Sequence, residues 1–333
     1  MIEQIKLGND YRMKVESSIL NCLTSTHLGK GISYQGKVRD SYDLGDTLAL
    51  ITTDRQSAFD RVLASIPYKG QVLNQTGSWW FEKTKDIIPN HAIEYPDPNV
   101  IIAKKCTPFP IEFVVRGYMT GSSSTSLWTI YDKGDREYCG IKFPDGMVKN
   151  QKLPKPIITP TTKEEGHDRP ISPAEIVAEG WMEKEHWEYA SKKAIDLFVR
   201  GQEISSKHGL ILVDTKYEMG LSQDGEITLI DEIHTPDSSR FWIKESLDKR
   251  LKNKQEPENI DKEFLRLWFK KHSNPYEDKM LPKAPDELVI ELSCRYILLY
   301  EMITGQKFSF PDTNENIEKR ITRNMSIYLN KLI

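Results

Sequence analysis

Long apolar runs are missing from this 333-residue chain. No stretch approaches the ~20 apolar residues that a membrane-spanning helix needs. The longest apolar-rich window, Leu288 to Ile303, is interrupted by Glu291, Arg295 and Glu301. The opening MIEQIKLGNDYRMK lacks the apolar core of a secretory signal, so none is expected. Cysteine is scarce: Cys22, Cys106, Cys139 and Cys294 lie far apart without zinc spacing, which fits buried thiols in a reducing cytoplasm. An excess of one charge is absent too. The 46 basic and 49 acidic residues leave a net −3, so nothing draws the chain generally toward nucleic acid or an anionic membrane. Any anion it binds must be held by a local basic cluster. Walker A spacing, GxGxxG and GxSxG are all missing, as are internal repeats and low-complexity segments. His167 and His234 have no metal-ligand partner at helical spacing.

What is present is an ordinary soluble balance, 38% hydrophobic and 29% charged, over a length that predicts two or three modules. GKVRDSYDL alternates, Gly45-Asp46 supplies a turn and TLALITTD continues as an apolar strand, so a hairpin is expected from Gly36 to Asp60. Residues 71 to 88 have helical spacing, and Asn99 to Arg116 is again strand-like. The four prolines of QKLPKPIITPTTKEEGHDRP, residues 151 to 170, predict a loop. Ser172, Pro173 and Glu175 then spell a capped helix start, and a second helical run reaches Lys207 before Gly209. LILVDTKYEMG and EITLIDEI read as a hairpin turning at Asp224-Gly225. Beyond Arg240 the reading is helical: Phe264 to Trp268, Leu288 to Ile303 ending at Gly305, and a last stretch with Ile317, Ile321, Met325, Tyr328 and Leu332 on one stripe. The order is mixed α and β without the alternation of a doubly wound sheet.

Four clusters carry chemistry. In a strand, residues two apart share a face, so Asp214, Lys216 and Glu218 point one way, with Asp231 and Glu232 across the hairpin. Carboxylates around one lysine suit magnesium and ATP phosphates, although an exposed strand of alternating charge has the same pattern. Lys37 and Arg39 after Gly36 place two cations on one strand face, as a phosphate requires or as a solvated edge strand displays. PIEFVVRGYMTGS delivers Arg116 beside Gly121 and Ser122, where a bare backbone, a hydroxyl and a guanidinium make a monoester-phosphate site. Ser239 and Arg240 in DSSR repeat that theme, and the same residues could cap a helix starting at FWIKESL.

PIEFVVRGYMTGS and LVDTKYEMG closely resemble the signature stretches of the SAICAR synthetases, the phosphoribosylaminoimidazole-succinocarboxamide synthases of purine biosynthesis. GKVRDSYDL, ITPTTKEEGHD and DEIHTPDSSRFW match further blocks in the same order, across Gly36 to Trp242. The resemblance implies an ATP-dependent ligase that joins carboxyaminoimidazole ribonucleotide to L-aspartate. It implies an α+β, two-lobed SAICAR synthase-like fold, with a β-rich kinase-like N-terminal lobe (1–112), an ATP-grasp-like catalytic lobe (113–246) and a helical C-terminal region (247–333). ATP would lie between the lobes. Lys37 and Arg39 would hold ATP phosphates, Glu218 and Asp231 Mg2+, with Lys216 beside them. Arg116, Ser122 and Arg240 would hold the substrate's 5′-phosphate, and Asp214 its ribose hydroxyls, with Asp214 also a candidate base for the amine. Lys163, His167 and Asp168 would lie on a loop closing over the site. Expected partners are small molecules only, without nucleic acid or membrane, and the oligomeric state is left open. Met219 departs from the phenylalanine common in the family, and residues 131–150 and the tail exceed its minimal core. Two other readings stay open: a related ligase with another acceptor, and an RNA-binding module, which the negative charge disfavours.

Overall fold

The alternating segments near the start fold as their patterns demand. In the computed structural model, which describes residues 8–29, 32–123, 125–164, 168–260, 262–312 and 315–330, helix α1 (Asn9–Ser17) precedes β1 (Ile32–Gln35), β2 (Arg39–Asp43) and β3 (Thr47–Thr52). β2 and β3 form the expected antiparallel hairpin, with Gly45 at φ +101° in its turn. Then come a second hairpin, β4 (Arg55–Ala58) and β5 (Arg61–Ser65), helix α2 (Lys69–Thr84), and β6 (Ala92–Asp97) with β7 (Val100–Lys104). The sheet order is β1-β2-β3-β7-β6. Lys37 departs from expectation: the Gly36 N–H donates to the Arg39 carbonyl at 2.8 Å, closing a turn that puts Lys37 at its tip, so only Arg39 begins a strand.

The next stretch is built on one long strand. It comprises β8 (Cys106–Pro108), β9 (Ile111–Met119), α3 (Leu127–Asp132), β10 (Glu137–Tyr138), β11 (Ile141–Lys142), β12 (Gln151–Ile158), β13 (Thr161–Thr162), α4 (Pro173–Ala178), α5 (Lys184–Lys207), β14 (Leu210–Ser222), β15 (Ile227–Ile230), β16 (Ser239–Ile243) and α6 (Lys244–Lys252). The first half of β14 pairs with β9 and β16, the second half with β8 and β15. Trp187, Ala190, Ala194, Leu197 and Phe198 form the buried face of α5, and Trp187 stacks on Phe113 of β9. The capping box at Ser172 and Glu175 is formed, and Gly209 takes φ +75° just past α5.

Two expectations fail here for one reason. The proline-rich stretch is a loop only in part, because Gln151–Ile158 pairs with β9 at the sheet edge, with a register shift between Lys152 and Ile157. An edge strand can spare the N–H groups that Pro154 and Pro156 lack. His167 lies outside the described residues. Ser239–Ile243 is likewise a strand on β14, so the DSSR segment caps no helix, and α6 starts only at Lys244. In both cases a distant partner strand overrides the local signal.

Helices α7 (Glu263–His272), α8 (Asp286–Thr304) and α9 (Ile317–Asn330) complete the described chain, and Gly305 closes α8 at φ +69°. By contact the chain forms two units, one of residues up to Trp79, Ala92–Lys105 and Ile260 onward, the other of Trp80–His91 and Cys106–Asn259. The expected consecutive boundaries at 112 and 246 differ from this, because the tail buries its apolar face on N-terminal residues. Ile321, Met325 and Tyr328 of α9 pack on Ala49, Ile51, Val100 and Ile102, and the α8 core joins Val15, Ile66 and Leu73. Among the described residues no helix is long and apolar enough to cross a membrane.

Candidate active site

The alternation along β14 sorts its side chains as the sequence implies. Thr215, Tyr217 and Met219 are buried, while Asp214, Lys216 and Glu218 alternate with them at partial exposure. Register then brings partners to that face. Asp214 is paired with Arg116 of β9 on one side and Arg240 of β16 on the other. Arg240 Nη1 lies 3.0 Å from Asp214 Oδ2, and Arg116 Nη1 lies 3.9 Å from the same oxygen. Arg116 Nε also donates to Thr159 Oγ1 at 2.8 Å. One carboxylate between two guanidiniums leaves the trio a net positive charge, and the planar fork of an arginine suits an oxyanion.

Two residues along the same face, Lys216 Nζ donates to Glu112 Oε1 at 2.8 Å and to Glu218 Oε1 at 2.6 Å. Lys163 pairs with the other oxygen of Glu218, and Thr161 Oγ1 donates to Glu112 at 3.3 Å. Burial by itself disfavours the ammonium, but the charges of Glu218, Glu112 and Asp231 outweigh it and hold the Lys216 pKa above the ordinary lysine range. Glu112 was missed in the sequence, although it stands at period two with Val114 and Arg116 and so shares their face.

Among the described residues no group of three or more His, Cys, Asp or Glu side chains could hold a metal alone. The donor set still fits magnesium, which binds through one or two carboxylates and completes its shell with water and phosphate oxygens. Glu218 and Asp231, whose charges both act on Lys216, would be the carboxylates to hold it.

The remaining candidates divide. Gly121 takes φ +115°, and a Cβ there would meet Ser126 Cβ at 2.3 Å, so this backbone tolerates only glycine, while Ser122 beside it is exposed. Ser239 is buried, its hydroxyl 2.7 Å from Thr215 Oγ1, on the face opposite Arg240. Neighbours in a strand point to opposite faces, so the two do not converge as the DSSR pattern implied. Lys37 and Arg39 belong to the other unit, where Lys37 Nζ is 2.6 Å from Asp60 Oδ1 and Arg39 Nε donates to Thr52 Oγ1 at 3.4 Å. Arg55, also missed, is buried on Asp40 at 2.6 Å and donates to the Gly36 and Lys37 carbonyls, which pins the turn.

His234 is fully buried, with Nε2 2.5 Å from the Tyr217 hydroxyl. Burial pushes its pKa down from 6.5 to about 3. The folded protein therefore keeps this ring neutral while the unfolded chain takes up a proton below its own pKa. Its contribution to stability is complete above pH 6.5 and lost as pH falls toward 3. His234→Gln removes that titration. The stability gap between the native protein and this variant is expected to close by about 3 kcal/mol between pH 7 and pH 4, as followed by urea denaturation. A gap that does not change with pH would reject this.

The chain is similar to known proteins over most of its length. The sequence model of the family described as SAICAR synthetase matches residues 32–283. A phosphoribosylaminoimidazole-succinocarboxamide synthase of Legionella pneumophila (strain Paris) is 63% identical over 308 residues, 92% of this chain and 99% of that protein. Among solved structures, the SAICAR-synthase from Saccharomyces cerevisiae complexed with SAICAR aligns at a TM-score of 0.73 and 31% identity, over 86% of this chain and 100% of that one. A SAICAR synthetase in complex with ADP aligns at a TM-score of 0.64 and 26% identity, over 84% of this chain and 100% of that one. With the family model covering most of its length and a relative this similar from end to end, the chain belongs to the SAICAR synthetase family.

Proposed function

We propose that this protein is an ATP-dependent ligase that condenses carboxyaminoimidazole ribonucleotide with L-aspartate to SAICAR, releasing ADP and phosphate, in de novo purine biosynthesis. The observation that carries the reading is the division of one strand face into two sites. Asp214 with Arg116 and Arg240 makes an oxyanion site, and Lys216 with Glu112, Glu218 and Asp231 makes a cation-and-phosphate site. At ~3.3 Å per strand residue, Asp214 and Glu218 are roughly 13 Å apart. That leaves room for one ribonucleotide between its phosphate end and its reacting carboxylate.

In this reading Arg116 and Arg240 hold the 5′-phosphate, Asp214 keeps the two forks apart and oriented, and the exposed Ser122 hydroxyl joins them. Lys37 and Arg39 bind ATP phosphates. Glu218 and Asp231 hold magnesium, which when bound neutralises phosphate charge. The substrate carboxylate attacks the γ-phosphorus, the bond to ADP breaks, and an acyl phosphate results. Lys216 stabilises the charge that develops on the transferring oxygens, as a fixed cation in a partly dry site can. The aspartate amine then forms the new C–N bond, and phosphate leaves with the bonding pair and takes up the proton the amine gives off. Lys163, paired with Glu218 from the segment after β13, would cover the site and slow hydrolysis of the intermediate. All four cysteines are free thiols, as a reducing cytoplasm keeps them, and that location belongs to the proposal.

Phosphate release tests the reading. With ATP, magnesium and carboxyaminoimidazole ribonucleotide present, release is expected only when L-aspartate is added, with SAICAR accumulating one for one. Equal release without L-aspartate, or no turnover with all four, would overturn it.

A further inference from the structure

Between β15 and β16 the chain passes through eight residues, Asp231 to Ser238, and two of them have left-handed backbone without being glycine. Asp231 has φ 66° and His234 has φ 48°. A side chain with a Cβ disfavours this region, so it persists only where the surroundings hold it. For the second half of the segment the holder is Thr235. Its hydroxyl donates to Glu232 at 2.6 Å and accepts the N–H groups of Asp237 and Ser238 at 3.2 Å.

In the first half the His234 ring makes the buried contacts. It meets Tyr217 at 2.5 Å and stands edge-on to Trp80, with centroids 4.7 Å apart at 88°. Gly201 of α5 makes the space: a Cβ there would come within 2.4 Å of His234 Cε1. Tyr217 lies on the buried face of β14, directly between Lys216 and Glu218 on the site face. The segment thus crosses from one face of the sheet to the other in three residues.

The proton count favours one arrangement of the pair. If the Tyr217 hydroxyl donates to Nε2, a single group is left over, the Nδ1–H, which has no hydrogen-bond partner among the described residues. If Nε2–H donates instead, both the tyrosine proton and Nδ1 are left over. Each buried polar group left unmade costs stability, so the first arrangement holds. A buried ring that accepts an orphaned Nδ1–H to keep one hydrogen bond is a costly anchor for an ordinary loop.

We propose that His234 is a positioning residue for the divalent cation: anchored on Tyr217 beneath the sheet, it imposes the left-handed turn that presents Asp231 beside Lys216 and Glu218. The proposal rests on the reading that Asp231 and Glu218 hold the metal. Groups that orient metal ligands typically change metal affinity by about 10- to 100-fold when removed.

The test titrates Mn2+, visible by electron paramagnetic resonance, into the full-length protein saturated with ADP. Three variants are compared with the native chain, each checked for folding by thermal melting. His234→Asn tolerates left-handed backbone but is too short to reach Tyr217. Tyr217→Phe removes only the hydroxyl. Asp231→Asn removes the ligand itself. Mn2+ affinity is expected to fall about 10- to 100-fold in His234→Asn and about 10-fold in Tyr217→Phe, with metal-free ADP affinity unchanged within about twofold in both. If Asp231→Asn loses Mn2+ while the folded His234→Asn and Tyr217→Phe proteins bind it normally, His234 is a core residue only and the proposal falls. If Asp231→Asn also binds Mn2+ normally, the metal reading itself is wrong and the proposal falls with it. Should His234→Asn fail to fold, Tyr217→Phe decides.

Discussion

Lys216→Met is expected to lower kcat/KM about 10³-fold and to cost about 3 kcal/mol of stability. The kinetic part follows from Lys216 being the cation at the centre of the proposed phosphate site. Removing one fixed electrostatic group of this kind typically costs about 10²- to 10³-fold, and the upper end applies because the lysine also keeps two carboxylates apart. The stability part follows from geometry. The ammonium bridges Glu112 at 2.8 Å and Glu218 at 2.6 Å, both of them mostly buried. Without it two like charges face one another, and breaking a buried pair costs about 3–5 kcal/mol. The lower end is expected because the Lys216 side chain is 32% exposed and solvent screens the pair. Lys216→Arg restores charge but not the single donor atom shared by both glutamates, so it should regain stability ahead of rate. Steady-state kinetics with urea denaturation read both parts. A Lys216→Met enzyme within tenfold of native kcat/KM would remove Lys216 from the mechanism.

Arg320→Met should cost about 3–5 kcal/mol while leaving every proposed substrate contact in place. Arg320 on α9 forks onto Asp97 at 3.0 and 3.1 Å and donates to Asn99 at 2.7 Å. The Asp97 side chain is wholly buried, and Asn324 Nδ2 reaches the same carboxylate at 2.7 Å. Methionine keeps the volume but leaves the carboxylate with too few donors for a buried charge. Arg320→Met with Asp97→Leu should recover much of the loss, because replacing a whole buried pair by apolar groups is often neutral. Chemical denaturation of the single and double variants checks this. Equal loss in both would show that the stranded Asp97 charge is not what costs the stability. The fork also fastens α9 to the sheet of its own unit, which the helix covers.

Much of the site was legible because it depends on neighbours in sequence. The capping box at Ser172, the turn at Gly225 and the left-handed glycines at 209 and 305 are local backbone chemistry, and each formed as its residues require. Period-two alternation alone put Asp214, Lys216 and Glu218 on one face, and helical periodicity alone put Ile321, Met325 and Tyr328 on one stripe. Lys37 was misplaced by a strand pattern extended one turn too far. Ser239 and Arg240 were joined because adjacent letters looked like one site, whereas a strand separates them.

By itself, then, the sequence determined which residue types line β14, where its hairpin turns and which family the chain resembles. Tertiary structure decided who meets whom. Strand pairing turned the proline-rich stretch and the DSSR segment into edges of one sheet, set Asp214 between two arginines and brought Glu112 to Lys216. Packing sent the last helices back to the N-terminal sheet and seated His234 under Tyr217. These outcomes depend on hydrogen-bond registers and apolar faces satisfied by partners distant in sequence. A local window contains the faces and the unpaired N–H and C=O groups but not the partners that cover them.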